Sequence, residues 1–206
     1  MLTKNKAVEY TKIKHGLKRP QISVRFGDTK RFEQAEKQIE QAQEHPISID
    51  EIINHTNDFL VALEMDKIIC LPKEKPKSKE FYKNIKTEYN LEDKRDIVWM
   101  KFTKDNFLGV VAVSADINFN IPPSRCKKHY TETKNGKPKN KNNHWEYNTS
   151  GIIINHLGQK WKEDFVLIFP LKNIPSGLKR GHIECGIGNY LIDKGVPILD
   201  YYSHMF

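Results

Sequence analysis

Residues 97–119, IVWMKFTKDNFLGVVAVSADINF, decide the fold. Two runs rich in β-branched and aromatic side chains, Ile97 to Phe102 and Phe107 to Phe119, flank the polar stretch Thr103, Lys104, Asp105 and Asn106. That pattern predicts an antiparallel hairpin, because such side chains fit a pleated surface and the residues between them favour a turn. Downstream, residues 145–157 and 165–171 repeat the pattern around Gly158 and predict a second hairpin. A helix is expected over residues 184–194, ending at Gly195, with a last strand over 196–202.

Upstream the periodicity is helical. Phe32, Ala35, Ile39 and Ala42 form one stripe of a polar helix over 30–44, which His45 and Pro46 terminate. Ser48 and Glu51 have the spacing of a capping box, and Ile49, Ile52, Ile53, Thr56, Phe59, Leu60 and Leu63 share the face of the helix that follows. A short strand over 67–71 and a helix over 78–89 complete this half. Helices first and strands afterwards predict an α+β fold, with the N-terminal helices packed on a mainly antiparallel sheet from the C-terminal half.

The chain has 206 residues, 38% hydrophobic and 29% charged, enough for a single domain with its own core. Its longest apolar runs, Gly109 to Ala115 and Phe165 to Phe169, are strand-sized and far short of the roughly 18–20 residues of a membrane span. The first residues lack the apolar segment of a secretory signal, and Cys70, Cys126 and Cys185 are odd in number and widely spaced. A cytoplasmic protein with small buried thiols and no membrane partner is expected.

The net charge of +8 is unevenly distributed. Residues 1–31 are basic, and residues 1–30 are expected to form a mobile N-terminal arm whose alternating stretch 21–26 suggests a short strand. Over residues 32–66 acids predominate, Lys37 being the single base. The long loop 122–144 carries Arg125, Lys127, Lys128, Lys134, Lys137, Lys139 and Lys141 against the single acid Glu132. A loop of this length inside a compact domain is functional or structureless. Beside its cations stand His129, Tyr130, His144 and Trp145, so phosphate-binding charge adjoins rings on which unpaired bases stack. Lysine outnumbers arginine there, which favours general phosphate contact over bidentate base reading. The expected partner is nucleic acid, and the competing reading is a solvated insertion.

Histidines add a catalytic expectation. His129 and His144 bracket the basic loop and would act as acid and base on a bound phosphodiester if it closes, with His182 and Glu184 as further candidates and surface histidines as the alternative. Arg180, His182, Glu184, Asp200 and His204 would form an acid–base cluster if the last strand ran back beside the helix start; a buried polar network is the competing account. Cys126 with His129, and His182 with Cys185, are mirrored two-residue-gap pairs that together would make a Cys₂His₂ zinc set, although the distance between the halves exceeds that of a zinc finger. Asp116 is the lone acid of its apolar run and is expected to cap the turn before Pro122 or bind metal.

Gly186 and Gly188 are too few for a dinucleotide fingerprint and are expected to serve helix packing. The P-loop, zincin and nucleophile-elbow motifs are absent from the sequence. Three function classes follow: a nucleic-acid-binding protein or nuclease, a non-catalytic protein that binds an acidic protein partner, and a small-molecule enzyme with its site near residues 180–204. The acidic helices would also allow pairing with the basic blocks of a second copy in a homodimer.

Overall fold

In the computed structural model the described residues are 1–12, 29–67, 87–88, 97–114, 149–162 and 165–200. They form an α+β arrangement in the order α1 (Lys4–Tyr10), α2 (Thr29–Glu44), α3 (Ile49–Ala62), β1 (Ile97–Phe102), β2 (Leu108–Ser114), α4 (Thr149–His156), β3 (Leu167–Pro170) and α5 (Arg180–Asp193). The strands make an antiparallel sheet ordered β2-β1-β3. No helix among the described residues is long and apolar enough to cross a membrane.

The predicted hairpin is the centre of the sheet. Ile97 pairs with Ser114 and Lys101 with Val110, and the register then shifts so that Phe102 faces Leu108 and Gly109 is the extra residue of a bulge. Thr103 closes the turn, its hydroxyl accepting the Phe107 N–H at 3.2 Å. On the other side of β1, Ile97 pairs with Pro170 and Met100 with Leu167. Alternation then sends Val98, Met100 and Phe102, with Val111, Leu167 and Phe169, into the main core. Trp99 and Lys101 point the opposite way.

On the main-core face lies α5, buried at every position from Ile183 to Leu191, as a helix packed on all sides must be. Helices α1 and α3 pack against it. An alanine Cβ at Gly186 would fall on the Phe59 ring of α3, so this glycine permits the close crossing, as the sequence reading expects. Of the basic N-terminal stretch, residues 4–10 are helix: Ala7 and Tyr10 are buried, the Tyr10 hydroxyl donates to Asp193 at 2.6 Å, and the Asn189 amide donates to the Tyr10 carbonyl at 2.8 Å. The rest of that arm, including residues 21–26, lies outside the described residues.

The capping box of α3 forms as expected. The Glu51 N–H donates to Ser48 Oγ at 3.2 Å and the Ser48 N–H donates to Glu51 Oε2 at 2.9 Å. Helix α2 buries Ala35 and Ala42, and Gln38 and Gln41 bond the chain after α5: the Ile198 N–H donates to Gln38 Oε1 at 3.0 Å and Gln41 Nε2 donates to the Gly195 carbonyl at 3.2 Å.

Two expectations fail. Residues 149–156 are helix α4 and not a hairpin strand. The isoleucines at 152–154 raise strand propensity, but tertiary packing overrides it: Ile154 joins Val110, Trp161 and Leu199 in a cluster on the second sheet face. Gly158, with φ +67°, is a helix terminator and not a hairpin turn, since the Gln159 N–H returns to the Ile154 carbonyl at 2.9 Å. Strand β3 pairs with β1 instead. The second failure is the last strand: residues 196–198 are irregular and 199–200 a turn, although the N–H groups of Leu199 and Asp200 donate to the Leu108 and Gly109 carbonyls at the bulge. Helix α5 itself begins at Arg180, four residues before the expected start, and ends as predicted at Gly195, where the Val196 N–H bonds the Leu191 carbonyl. Helical residues 87–88 fall within the expected helix 78–89; its remainder, the expected strand 67–71 beyond Lys67, and Asp116 lie outside the described residues.

Candidate functional site

Of the candidate site residues, the structure describes His182, Glu184 and Cys185, together with Arg180 and Asp200. His129, His144, His204, Cys126 and the whole basic set Arg125, Lys127, Lys128, Tyr130, Lys134, Lys137, Lys139, Lys141 and Trp145 lie outside the described residues. What the structure does describe is the elements that precede and follow that stretch of sequence. Before it comes β2, whose last residue Ser114 pairs with Ile97, and after it α4, whose Ile154 is buried against the same sheet. Both are core elements.

At the start of α5, His182 works as a cap. Its Nδ1 accepts the Lys179 N–H at 2.9 Å, a bond that satisfies a helix-end donor and places the proton of the neutral ring on Nε2. Glu184 is buried among core residues of α5, and Asp200 is bonded by Ser150 from α4. Arg180 is exposed.

Cys185 carries a buried thiol that accepts from the Asn189 amide at 3.4 Å. Burial pushes its pKa up to about 11 against the lowering effect of the Asn189 amide, with the Glu184 carboxylate adding to the rise. A thiol so protonated at neutral pH is a poor nucleophile and a poor metal ligand. Among the described residues, no group of three or more His, Cys, Asp or Glu side chains is placed to hold a metal ion.

The sequence reading passed over a polar cluster on the second face of the sheet. Lys101 is 2% exposed, and its ammonium lies 4.6 Å from the centroid of the Trp161 ring. An aromatic face partly compensates a buried cation electrostatically. Gly109 makes room for this ring, since a Cβ there would sit on Trp161 Cζ3. Close by, the Ser150 hydroxyl donates to Asp200 Oδ2 at 2.5 Å, both residues being buried, and the Asp200 N–H donates to the Gly109 carbonyl at 2.8 Å. The indole nitrogens of Trp99 and Trp161 and the amide oxygen of Gln159 are buried with no hydrogen-bond partner among the described residues. The available signal was Lys101 itself, a charge inside an otherwise apolar strand. As arranged, hydroxyl and carboxylate fasten α4 to the bulge and are withheld from solvent.

Comparison with protein-family models, with curated proteins and with solved structures finds no match for this chain.

Proposed function

We propose that this protein binds nucleic acid through the basic segment 122–144, with phosphates held by Arg125, Lys127, Lys128, Lys134, Lys137, Lys139 and Lys141 and bases stacked on Tyr130 and Trp145. The observation that carries the reading is the charge segregation: seven cations against Glu132 in one stretch, bordered by aromatic rings. Cations concentrated in this way attract polyanions, whereas dispersed ones mainly confer solubility. The described elements nearest to it in sequence, β2 and α4, both pack on the sheet, which supports the reading, because a binding segment gains from a rigid base. So does the occupation of acids elsewhere: Glu64 is paired with Lys4 at 2.7 Å, Glu9 with Lys6 at 3.0 Å and Glu36 with His156 at 2.8 Å.

Hydrolysis of the bound phosphodiester is the catalytic extension of this reading, with His129 and His144 as acid and base and His182 and Glu184 as further candidates.

The test is fluorescence anisotropy with single-stranded and duplex oligonucleotides at low salt, on the intact chain and on a variant in which the six lysines of the segment become serine. Micromolar or tighter binding that the variant loses is expected. Absence of binding at low salt refutes the reading and favours an acidic protein partner, which a pulldown after nuclease treatment would recover in stoichiometric amount. Gel analysis of the same oligonucleotides reads cleavage, which His129→Ala and His144→Ala should each abolish.

A further inference from the structure

We propose that a groove on the far side of the hairpin turn is a binding site for a small organic amine, an apolar body carrying one ammonium group. The groove has a volume of about 470 Å³ and lies where the α2–α3 connection, the tip of the β1–β2 hairpin and residues 196–197 converge. Its size falls within the range of small-molecule sites, roughly 300–1,000 Å³. The inference does not rest on the nucleic-acid reading, since none of the lining residues belongs to the basic segment.

The chemistry of the lining selects the ligand. Ile47, Ile52, Phe107, Leu108 and Val196 supply an apolar floor. Its lining includes two exposed acidic residues, Asp50 in the first turn of α3 and Asp105 at the hairpin tip, and among the described residues no lysine, arginine or histidine lines the groove. In a chain of net charge +8, both charged side chains among the described lining residues are thus acidic, above an apolar base. An anion is repelled there, and a small hydrated metal ion would gain nothing from the floor. A ligand that buries hydrocarbon and presents a cation to the rim uses both features.

The polar groups beside the two aspartates are already engaged. Ser48 is committed to Glu51 through the capping box, and Asn106 Oδ1 accepts from Lys162 Nζ, outside the lining, at 2.8 Å. Asp50 and Asp105 form no side-chain hydrogen bond or ion pair among the described residues, so their acceptor capacity faces the groove mouth or solvent. The walls are also braced before any ligand arrives. Gln38 and Gln41 hold the Gly195 to Ile198 wall against α2, the capping box fixes the α3 start, and the Thr103 hydroxyl fixes the hairpin tip. A preformed wall lowers the ordering cost of binding.

Three probes of one shape separate the contributions: benzylamine, benzyl alcohol and benzoate, titrated into the full isotope-labelled chain while backbone amide resonances are followed. Benzylamine is expected to shift the amides of Asp50, Asp105, Asn106, Phe107 and Val196 saturably at millimolar concentration, with the alcohol bound at least about tenfold more weakly and benzoate not at all. In the double variant D50N/D105N the affinity for benzylamine should fall to that for the alcohol while the spectrum remains dispersed. Equal binding of all three probes, absence of shifts at these amides, or benzylamine affinity unchanged in a folded double variant overturns the proposal. Should the double variant fail to fold, the comparison of the three probes on the native chain decides alone.

Discussion

The Ser150 hydroxyl donates to the Asp200 carboxylate across 2.5 Å with both groups buried, and this bond ties the first turn of α4 to the turn that leans on the β2 bulge. A buried acceptor that loses one donor is not rehydrated in exchange, so Ser150→Ala should destabilise the chain by about 1–3 kcal/mol. Asp200→Ala should cost a similar amount, and the double substitution less than the sum, with a coupling of about 0.5–3 kcal/mol. Urea unfolding of the four proteins measures it. Strict additivity would show that the two residues act independently.

Gly186 stands against the Phe59 ring, where an added Cβ would come within 2.3 Å of Cζ. Alanine gains helix propensity of up to about 1 kcal/mol, but Phe59 is fully buried and has little room to withdraw. Overpacking of this kind typically costs about 1–3 kcal/mol, so Gly186→Ala should lower Tm, and Phe59→Leu in the same chain should recover part of the loss. A rise in Tm for the single variant would contradict the packing account.

Glu51 reaches back to the Ser48 N–H, and that backbone bond, followed by the one from the Ser48 hydroxyl, holds its carboxyl below the ordinary glutamate range. A carboxyl whose pKa is lower folded than unfolded stabilises the fold above its unfolded pKa, and that stabilisation is lost as pH falls through the folded value. Ser48→Ala should therefore lower stability by about 1 kcal/mol at neutral pH. The gap between the two proteins should shrink as the solution is acidified past the ordinary glutamate range, about 4.3. Thermal unfolding across that interval checks it, and a gap constant with pH would show that the bond from the Ser48 hydroxyl to the Glu51 carboxylate contributes nothing.

Burial raises the Cys185 thiol to about 11 and encloses it in α5. Peptide mapping after brief treatment with iodoacetamide at mildly alkaline pH should find Cys185 unmodified in the folded protein and fully modified in denaturant. Rapid alkylation of the native chain at this residue would mean that α5 opens readily or that the thiol is not where the structure puts it.

Much of the fold was legible because local chemistry and tertiary packing agree. The hairpin of β1 and β2, the α3 capping box and the glycine end of α5 each carry a local signal that the core reinforces. The α4 region was misread because isoleucines and a glycine admit both a strand with a turn and a helix with a left-handed cap. Only burial against Val110, Trp161 and Leu199 decides between them. Lys101 was overlooked for a related reason: its burial under Trp161 depends on Gly109, a residue it pairs beside but that sequence spacing does not link to it. The α1 helix is docked through Leu2, Ala7, Val8 and Tyr10, apolar groups scattered among lysines that mask the face. Of the proposed site, His182 also caps α5, and the basic segment rests on its charge pattern.

The central claim is that lysines of residues 122–144 bind phosphate by releasing counterions, and the slope of log Kd against log salt for a single-stranded oligonucleotide tests it most directly. Single strands give a slope of about 0.7 per phosphate neutralised, so engagement of most of the segment predicts a slope magnitude of about 4–5. Replacing its six lysines with serine should bring that slope close to zero without changing thermal stability. Binding that is insensitive to salt, or a slope that survives the substitutions, would contradict the account.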